Sequence, residues 1–310
     1  MRQAFTKTLV ELAEQDSRIV LLTGDLGFMA LEPFSERFPN RFFNAGVAEQ
    51  NMVGMATGLA EAGLIPFVYS IVTFATLRPY EFIRNGPILH QLPVRIVGMG
   101  GGFEYGSAGP SHHGLEDVGV FRIQPGITVI APADSAQTAS AMRATANLPG
   151  PVYYRLGKND KISVPGLDGQ FDLNRVQVVR EGSDLLILSM GAVSPEAVSA
   201  ADQLAAQGIS CAVAVVSTLN PAPVDDLRAL LSRYPLAITT EAHYVVGGLG
   251  SLVSEVVAEA GIACRVIRCG VRETPTGITG STPYFYEQHG ISAGQLVQTV
   301  QAALQQAHRR

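Results

Sequence analysis

Tryptophan is absent from the 310 residues, and the three cysteines, Cys211, Cys264 and Cys269, show no C-x-x-C spacing. That scarcity excludes a disulfide framework or a zinc site and points to free, buried thiols in a reducing, cytoplasmic setting. No uncharged apolar run reaches the ~20 residues that a membrane-crossing helix needs. The opening stretch, MRQAFTKTLVELAEQDSR, reads as an acid-bearing amphipathic helix and lacks the apolar core and cleavage signal of a secretory leader. Charge is also scarce: 16% of residues, a net −5, and scattered cations argue against a nucleic-acid or anionic-membrane surface. G-x-G-x-x-G after a first strand, G-x-x-x-x-G-K-[ST] and G-x-S-x-G are all missing, which leaves a dinucleotide fold, a P-loop and a hydrolase elbow without support.

What remains is a chain with 47% hydrophobic residues, enough to bury the cores of two ordinary domains. Short apolar runs that do not alternate in polarity, such as RIVLLT at 18–23, IPFVYS at 65–70 and VRIVG at 94–98, alternate with helical patterns. This rhythm predicts mostly parallel sheets covered on both faces. It lapses in the polar, proline- and glycine-bearing stretch 158–181 and then restarts. The expected organisation is therefore two successive α/β domains, residues 1–160 and 181–310, joined by a linker at 161–180. Helices are expected at 3–15, 49–61, 77–91 (interrupted by Pro87), 113–122 and 135–147 in the first half. The second half should carry them at 195–206, 225–233, 251–260 and the C-terminus.

The most informative stretch is 41–64, RFFNAGVAEQNMVGMATGLAEAGL. On a helix at about 100° per residue, Met52, Val53, Met55, Ala56, Leu59 and Ala60 form one apolar stripe, and Glu49 falls inside it. A carboxylate there must be partnered, protonated or facing something other than protein. Its plain explanation is the first helical turn, where the helix dipole favours an acid. Two other features draw notice: an aromatic cluster (Phe67, Tyr69, Phe74, Tyr80, Phe82) and a glycine-rich loop leading into Ser111-His112-His113. Taken singly, aromatics fill cores, a serine caps a helix, and adjacent histidines point apart and make a poor metal site.

Their combination is more specific. The runs AGVAEQNMVGMATGLAEAGLIPFV, GPSHHGLEDVGVFR, IQPGITVIAPAD and GPVYYRLGK, with ITTEAHYVVGGLGSLVSEVVAE in the second half, resemble the transketolase family of thiamine diphosphate enzymes. The resemblance covers nearly the whole chain and implies a pyrimidine-binding domain followed by a transketolase C-terminal domain. It implies that Glu49, in the A-E-Q motif, binds the cofactor's aminopyrimidine and assists its activation. Phe74 is the implied stacking ring, with Tyr69 as the alternative. Ser111-His112-His113 matches the family's T-H-Q, making His112 the proton-handling group and His113 a neighbour of the substrate.

Departures from the family pattern bear on substrate and assembly. Sugar-phosphate transketolases carry an acidic pair, G-E-D-G-x-T-H, where this chain has Ser107 and Ala108, and Met29 stands where a phosphate-binding serine is expected. Arg2 and Lys158 remain as candidate anion ligands. The G-D-G motif that binds Mg²⁺ and the diphosphate does not occur, and no metal ligands are assigned to this chain. The expectation is a split transketolase, its Mg²⁺ and diphosphate site on an N-terminal partner subunit, inactive without that partner and assembled with it as α₂β₂. The rivals are a decarboxylating relative (a 2-oxoacid dehydrogenase β subunit or a deoxyxylulose-phosphate-synthase-like acyloin former) and a non-catalytic regulatory subunit. An intact Glu49 speaks against the last.

Overall fold

The computed structural model describes residues 1–274 and 277–307. The first half supplies strands β1 (Ile19–Thr23), β2 (Phe42–Asn44), β3 (Ile65–Ile71), β4 (Arg95–Met99), β5 (Thr128–Ile130) and β6 (Val152–Leu156). The second supplies β7 (Gln177–Arg180), β8 (Leu185–Met190), β9 (Cys211–Val215), β10 (Thr218–Asn220), β11 (Leu236–Tyr244) and β12 (Arg265–Val271). They form a seven-stranded sheet ordered β10-β5-β6-β4-β3-β1-β2 and a five-stranded sheet ordered β12-β11-β8-β9-β7. Among the described strands, only β10 and β7 pair antiparallel to their neighbours. The non-alternating runs have the expected cause: every residue of β1, β3, β4, β6, β8 and β9 is buried, because helices cover both faces.

Several local expectations change. The helix expected at 77–91 starts earlier, at Val72–Thr76, breaks before Pro79 and resumes as Tyr80–Ile83. Pro87 then lies in a π-helical turn, Arg84–Ile88, where a wider turn accommodates a residue that cannot donate. The helix expected at 113–122 is confined to Asp117–Arg122, and the loop before it carries short 3₁₀ turns at Gly106–Ala108 and Pro110–His112. Strand β7 falls inside the stretch read as a linker. The Gly/Thr/Pro-rich loop near the C-terminus holds a helix, Thr282–Gln288, capped by Ser281 Oγ, which accepts the Tyr284 N–H at 3.3 Å. The three cysteines are free and buried, and among the described residues no helix is long and apolar enough to cross a membrane.

The two sheets share one apolar layer, which runs from Val20, Leu22 and Val68 to Leu186, Leu188 and Ala214. One polar cluster at the junction is closed to water. Arg155 on β6 pairs with Asp117 at 2.8 Å, and Tyr153 donates to the same carboxylate oxygen at 2.6 Å. Arg155 Nη2 also donates to the carbonyls of Gly114 and Ala242, both at 2.9 Å, one from each half. Gly102 shows why this neighbourhood is rich in glycine: at φ +70°, a Cβ there would sit 2.7 Å from the Ala242 Cβ. The loop is shaped by close approach of the second domain.

Replacing Arg155 by Met would strand Asp117 and Tyr153 without their cation in a site closed to water. We expect a loss of about 3–5 kcal/mol in stability, measured by urea unfolding. A loss below about 1 kcal/mol would mean that the pair behaves like a surface one.

Candidate active site

The loops after β1, β2, β3 and β4 all emerge at the carboxyl edge of the first sheet, the edge where open α/β sheets bind ligands. Glu49 follows β2 there, as the first residue of the helix Glu49–Glu61. It is 1% exposed. Met52, Val53, Ala56 and Ala60 of its stripe are buried as expected, whereas Met55 is 37% exposed and Leu59 only partly buried. Gly24, just after β1, lies beside the acid: a Cβ there would be in ordinary contact with Glu49 Oε1, at 3.6 Å. Asn44 ties the same two loops, accepting the N–H groups of Asp25 at 3.1 Å and Gly46 at 3.0 Å. Asp25 and Met29 both have φ +60°, an uncommon conformation for residues with side chains and one that concentrates at functional loops.

Of the three fates open to a carboxylate on an apolar stripe, the structure shows a partner. Arg78 Nη1 donates to Glu49 Oε1 at 3.0 Å and to Oε2 at 3.1 Å. The Arg78 guanidinium also lies over the Phe74 ring, 3.8 Å from its centroid. Phe74 in turn meets the edge of His112 at 5.0 Å. Ser111 Oγ is hydrogen-bonded to His112 Nδ1 at 2.9 Å, and Thr73 Oγ1 donates to the Ser111 carbonyl at 3.3 Å, so the helix bearing Phe74 also holds the histidine loop. Tyr105 lies 6.3 Å from His112, and the Lys158 ammonium sits 4.6 Å over the Tyr105 ring. Glu49, Phe74, His112 and Lys158 are thus linked by Arg78 and Tyr105, neither of which the sequence pattern singles out. The signal for Arg78 is the misplaced acid itself, which demands a cation, but the two residues are 29 positions apart.

Other expected site residues lie elsewhere. Tyr69 is buried in β3, stacked on Phe5 at 5.5 Å, and burial raises its hydroxyl pKa well above the ordinary value. Of the two candidate rings, Phe74 faces the site. His113 does not reach open space: it is 3% exposed, edge-on to Phe103 at 5.2 Å and to Phe285 of the second domain at 5.0 Å. Among the described residues, neither of its ring nitrogens has a hydrogen-bond partner. His289 joins this group by stacking on Phe103 at 5.0 Å. Arg2 and Lys158 line a cavity of about 730 Å³ with Lys161, but Glu104, Asp160 and Glu196 face them across it, so the site is not cationic overall. Ser107 and Ala108 sit exposed in a 3₁₀ turn, and Met29 is 90% exposed.

Residues 1–161 match the family model for the transketolase pyrimidine-binding domain, and residues 174–296 match that for the transketolase C-terminal domain. The chain belongs to the transketolase family. It is 35% identical over 298 residues to the 6-deoxy-6-sulfo-D-fructose transketolase subunit of Clostridium sp. (strain MSTE9), covering 96% of this chain and 92% of that one. It is equally 35% identical over 271 residues to an apulose-4-phosphate transketolase subunit of Phocaeicola vulgatus, with 86% of each covered. Among solved structures, one titled a split gene transketolase, inactive beta4 tetramer, matches with a TM-score of 0.88 and 36% identity, over 98% of this chain and 97% of that one. Two relatives of equal identity are named for a sulfosugar and a sugar phosphate. Identity at this level therefore leaves the sugar open within the transketolase family.

Burial lowers the His113 pKa below its ordinary value. In the window just below about pH 6.5, the unfolded chain binds a proton at this position that the folded chain refuses, so stability falls as pH falls. A His113→Phe variant keeps the aromatic packing and loses that proton. Its unfolding free energy should decline less steeply between about pH 7 and pH 5 than that of the parent. Identical slopes would show that His113 is protonated equally in both states. His243 and His289 are lowered by burial too, so some slope should persist in the variant.

Proposed function

We propose that this chain is the pyrimidine-binding and C-terminal component of a two-component transketolase, moving a two-carbon ketol unit between sugar-like substrates. The observation that carries the reading is Glu49: a dry carboxylate at the carboxyl edge of a parallel sheet, beside the ring of Phe74 and within one ring of His112. The residues fit the pyrimidine end of thiamine diphosphate. Glu49 would hold a ring nitrogen and stabilise a proton on it, and Phe74 would support the ring's face. When bound, the cofactor supplies the electron sink for carbon–carbon cleavage. His112, hydrogen-bonded to Ser111 through Nδ1, would move a proton at a substrate oxygen.

The diphosphate and Mg²⁺ end is assigned to a separate N-terminal subunit that carries the G-D-G motif, in an α₂β₂ assembly. Relatives named as subunits support that division. So do the exposed apolar side chains near the site: Phe28 and Met29 in the loop after β1, Val47 just before Glu49 and Leu77 beside Arg78. The missing acids at Ser107 and Ala108 favour a second reading, a decarboxylating acyloin former.

The test is reconstitution with a partner that carries G-D-G. The chain alone should be inactive, and the pair should transfer a two-carbon unit from a ketose donor to an aldose. Glu49→Gln should cut turnover by about 10²–10⁴-fold without dissociating the pair. Full activity of that variant removes Glu49 from catalysis. Turnover of pyruvate with CO₂ release, and none of a ketose, places the protein in the decarboxylating branch.

A further inference from the structure

Arg78 makes both of the contacts that the function proposed above asks of a cofactor ring. One of its nitrogens is shared by the two oxygens of Glu49, at 3.0 and 3.1 Å, and its guanidinium carbon lies 3.8 Å from the centroid of Phe74. A guanidinium is planar and conjugated and offers N–H donors to a carboxylate, as an aminopyrimidine does once a ring nitrogen carries a proton. The face of Phe74 and the oxygens of Glu49 cannot serve both groups at once. We infer that Arg78 is an internal stand-in for the aminopyrimidine, seated on Glu49 and Phe74 in the free chain and displaced when the cofactor ring arrives. This inference rests on the cofactor reading of Glu49 and Phe74.

The surroundings suit a residue that can leave. Arg78 belongs to the turn between the helices Val72–Thr76 and Tyr80–Ile83, and its side chain is 41% exposed although Glu49 beneath it is only 2% exposed. It therefore approaches the carboxylate from the open side and can swing into water without unpacking either helix. The arginine end of the pair is open to solvent, so the guanidinium loses little on leaving, and the incoming ring takes over the carboxylate it vacates. Its presence also has a purpose in the free chain. Glu49 without Arg78 would be a buried charge with no partner, which is costly. The arginine keeps both oxygens of the acid paired and in place until a ring replaces it. The cost is competition, because the apparent affinity for the ring is reduced by the fraction of chains in which the seat is vacant.

The test is a titration of the full-length chain at pH 8 with thiamine's pyrimidine fragment, an aminopyrimidine carrying methyl and hydroxymethyl groups, followed through the NMR signals of labelled Phe and His. Arg78→Met, which keeps an apolar stem on Phe74, should bind the fragment about 3- to 10-fold more tightly than the parent. Arg78→Lys, which keeps the charge but not the plane, should fall between them; thermal melts identify any variant that fails to fold. Equal or weaker binding by both folded variants overturns the stand-in. The double variant Glu49→Gln with Arg78→Met separates the two ideas. If it binds as tightly as Arg78→Met, the assignment of Glu49 to the ring fails while displacement by Arg78 survives. If none of the forms binds the fragment, the ring site itself is wrong.

Discussion

The fold hangs on a salt bridge closed to water. Arg155 and Asp117 bring together β6, the helix that follows the histidine loop, and the edge of the second domain; Tyr153 joins them at the same carboxylate oxygen, and Arg155 reaches the carbonyls of Gly114 and Ala242. A pair this dry adds little net stability over well-packed apolar residues, but breaking it is expensive. Its value lies in geometry. Gly114 stands two residues after His112, so the cation that binds the domains also fixes where the histidine loop ends. His243 reinforces the same seam: Gly119 donates its N–H to Nε2 at 3.2 Å, while Nδ1 meets the Tyr244 carbonyl at 2.7 Å. That arrangement requires a neutral ring with its proton on Nδ1.

Glu49 is the second constraint, and it is local. The helix dipole explains why an acid is tolerated in the first turn, but it does not explain why one should be withdrawn from water on the apolar side. The arrangement makes sense as a tool: a carboxylate whose strength comes from having few competitors for its oxygens. Gly24 lies on one side of it, and on the other Arg78, seated over Phe74, holds both oxygens. The loop from Gly24 to Met29, with two side-chain-bearing residues at positive φ, is held in an unusual form.

Much of this was legible in the residues. Non-alternating apolar runs announced buried parallel strands, and an acid out of phase with its helix announced a buried carboxylate in need of a partner, which Arg78 supplies. Other features were not, each for a physical reason. Strands β7 and β10 are short and owe their existence to pairing with β9 and β5, which local pattern cannot report. The pattern misplaces the helix after β3 because Pro87 reads as an interruption of one long helix, whereas Pro79 starts a second helix and Pro87 belongs to a π turn. Arg78 and the aromatic group of His113, Phe103, Phe285 and His289 depend on tertiary proximity. The glycine-rich loop drew notice for leading into Ser111-His112-His113, and at Gly102 it proved to be a place where two domains touch.

Strand β10 carries a consequence for the autonomy of the two halves. It leaves the second domain after β9, pairs with β5 at Thr218 to Ile130, and so covers what would otherwise be the bare edge of the first sheet. The leading domain is therefore not a self-sufficient unit. During synthesis its sheet stays open on one side until about sixty further residues have been made, as the span from β6 to β10 shows. Severed from its companion, it would offer an unprotected row of backbone donors and acceptors, the kind of border that recruits neighbouring chains into aggregates. Two domains that look modular along the sequence are, by this one strand, bound to mature together.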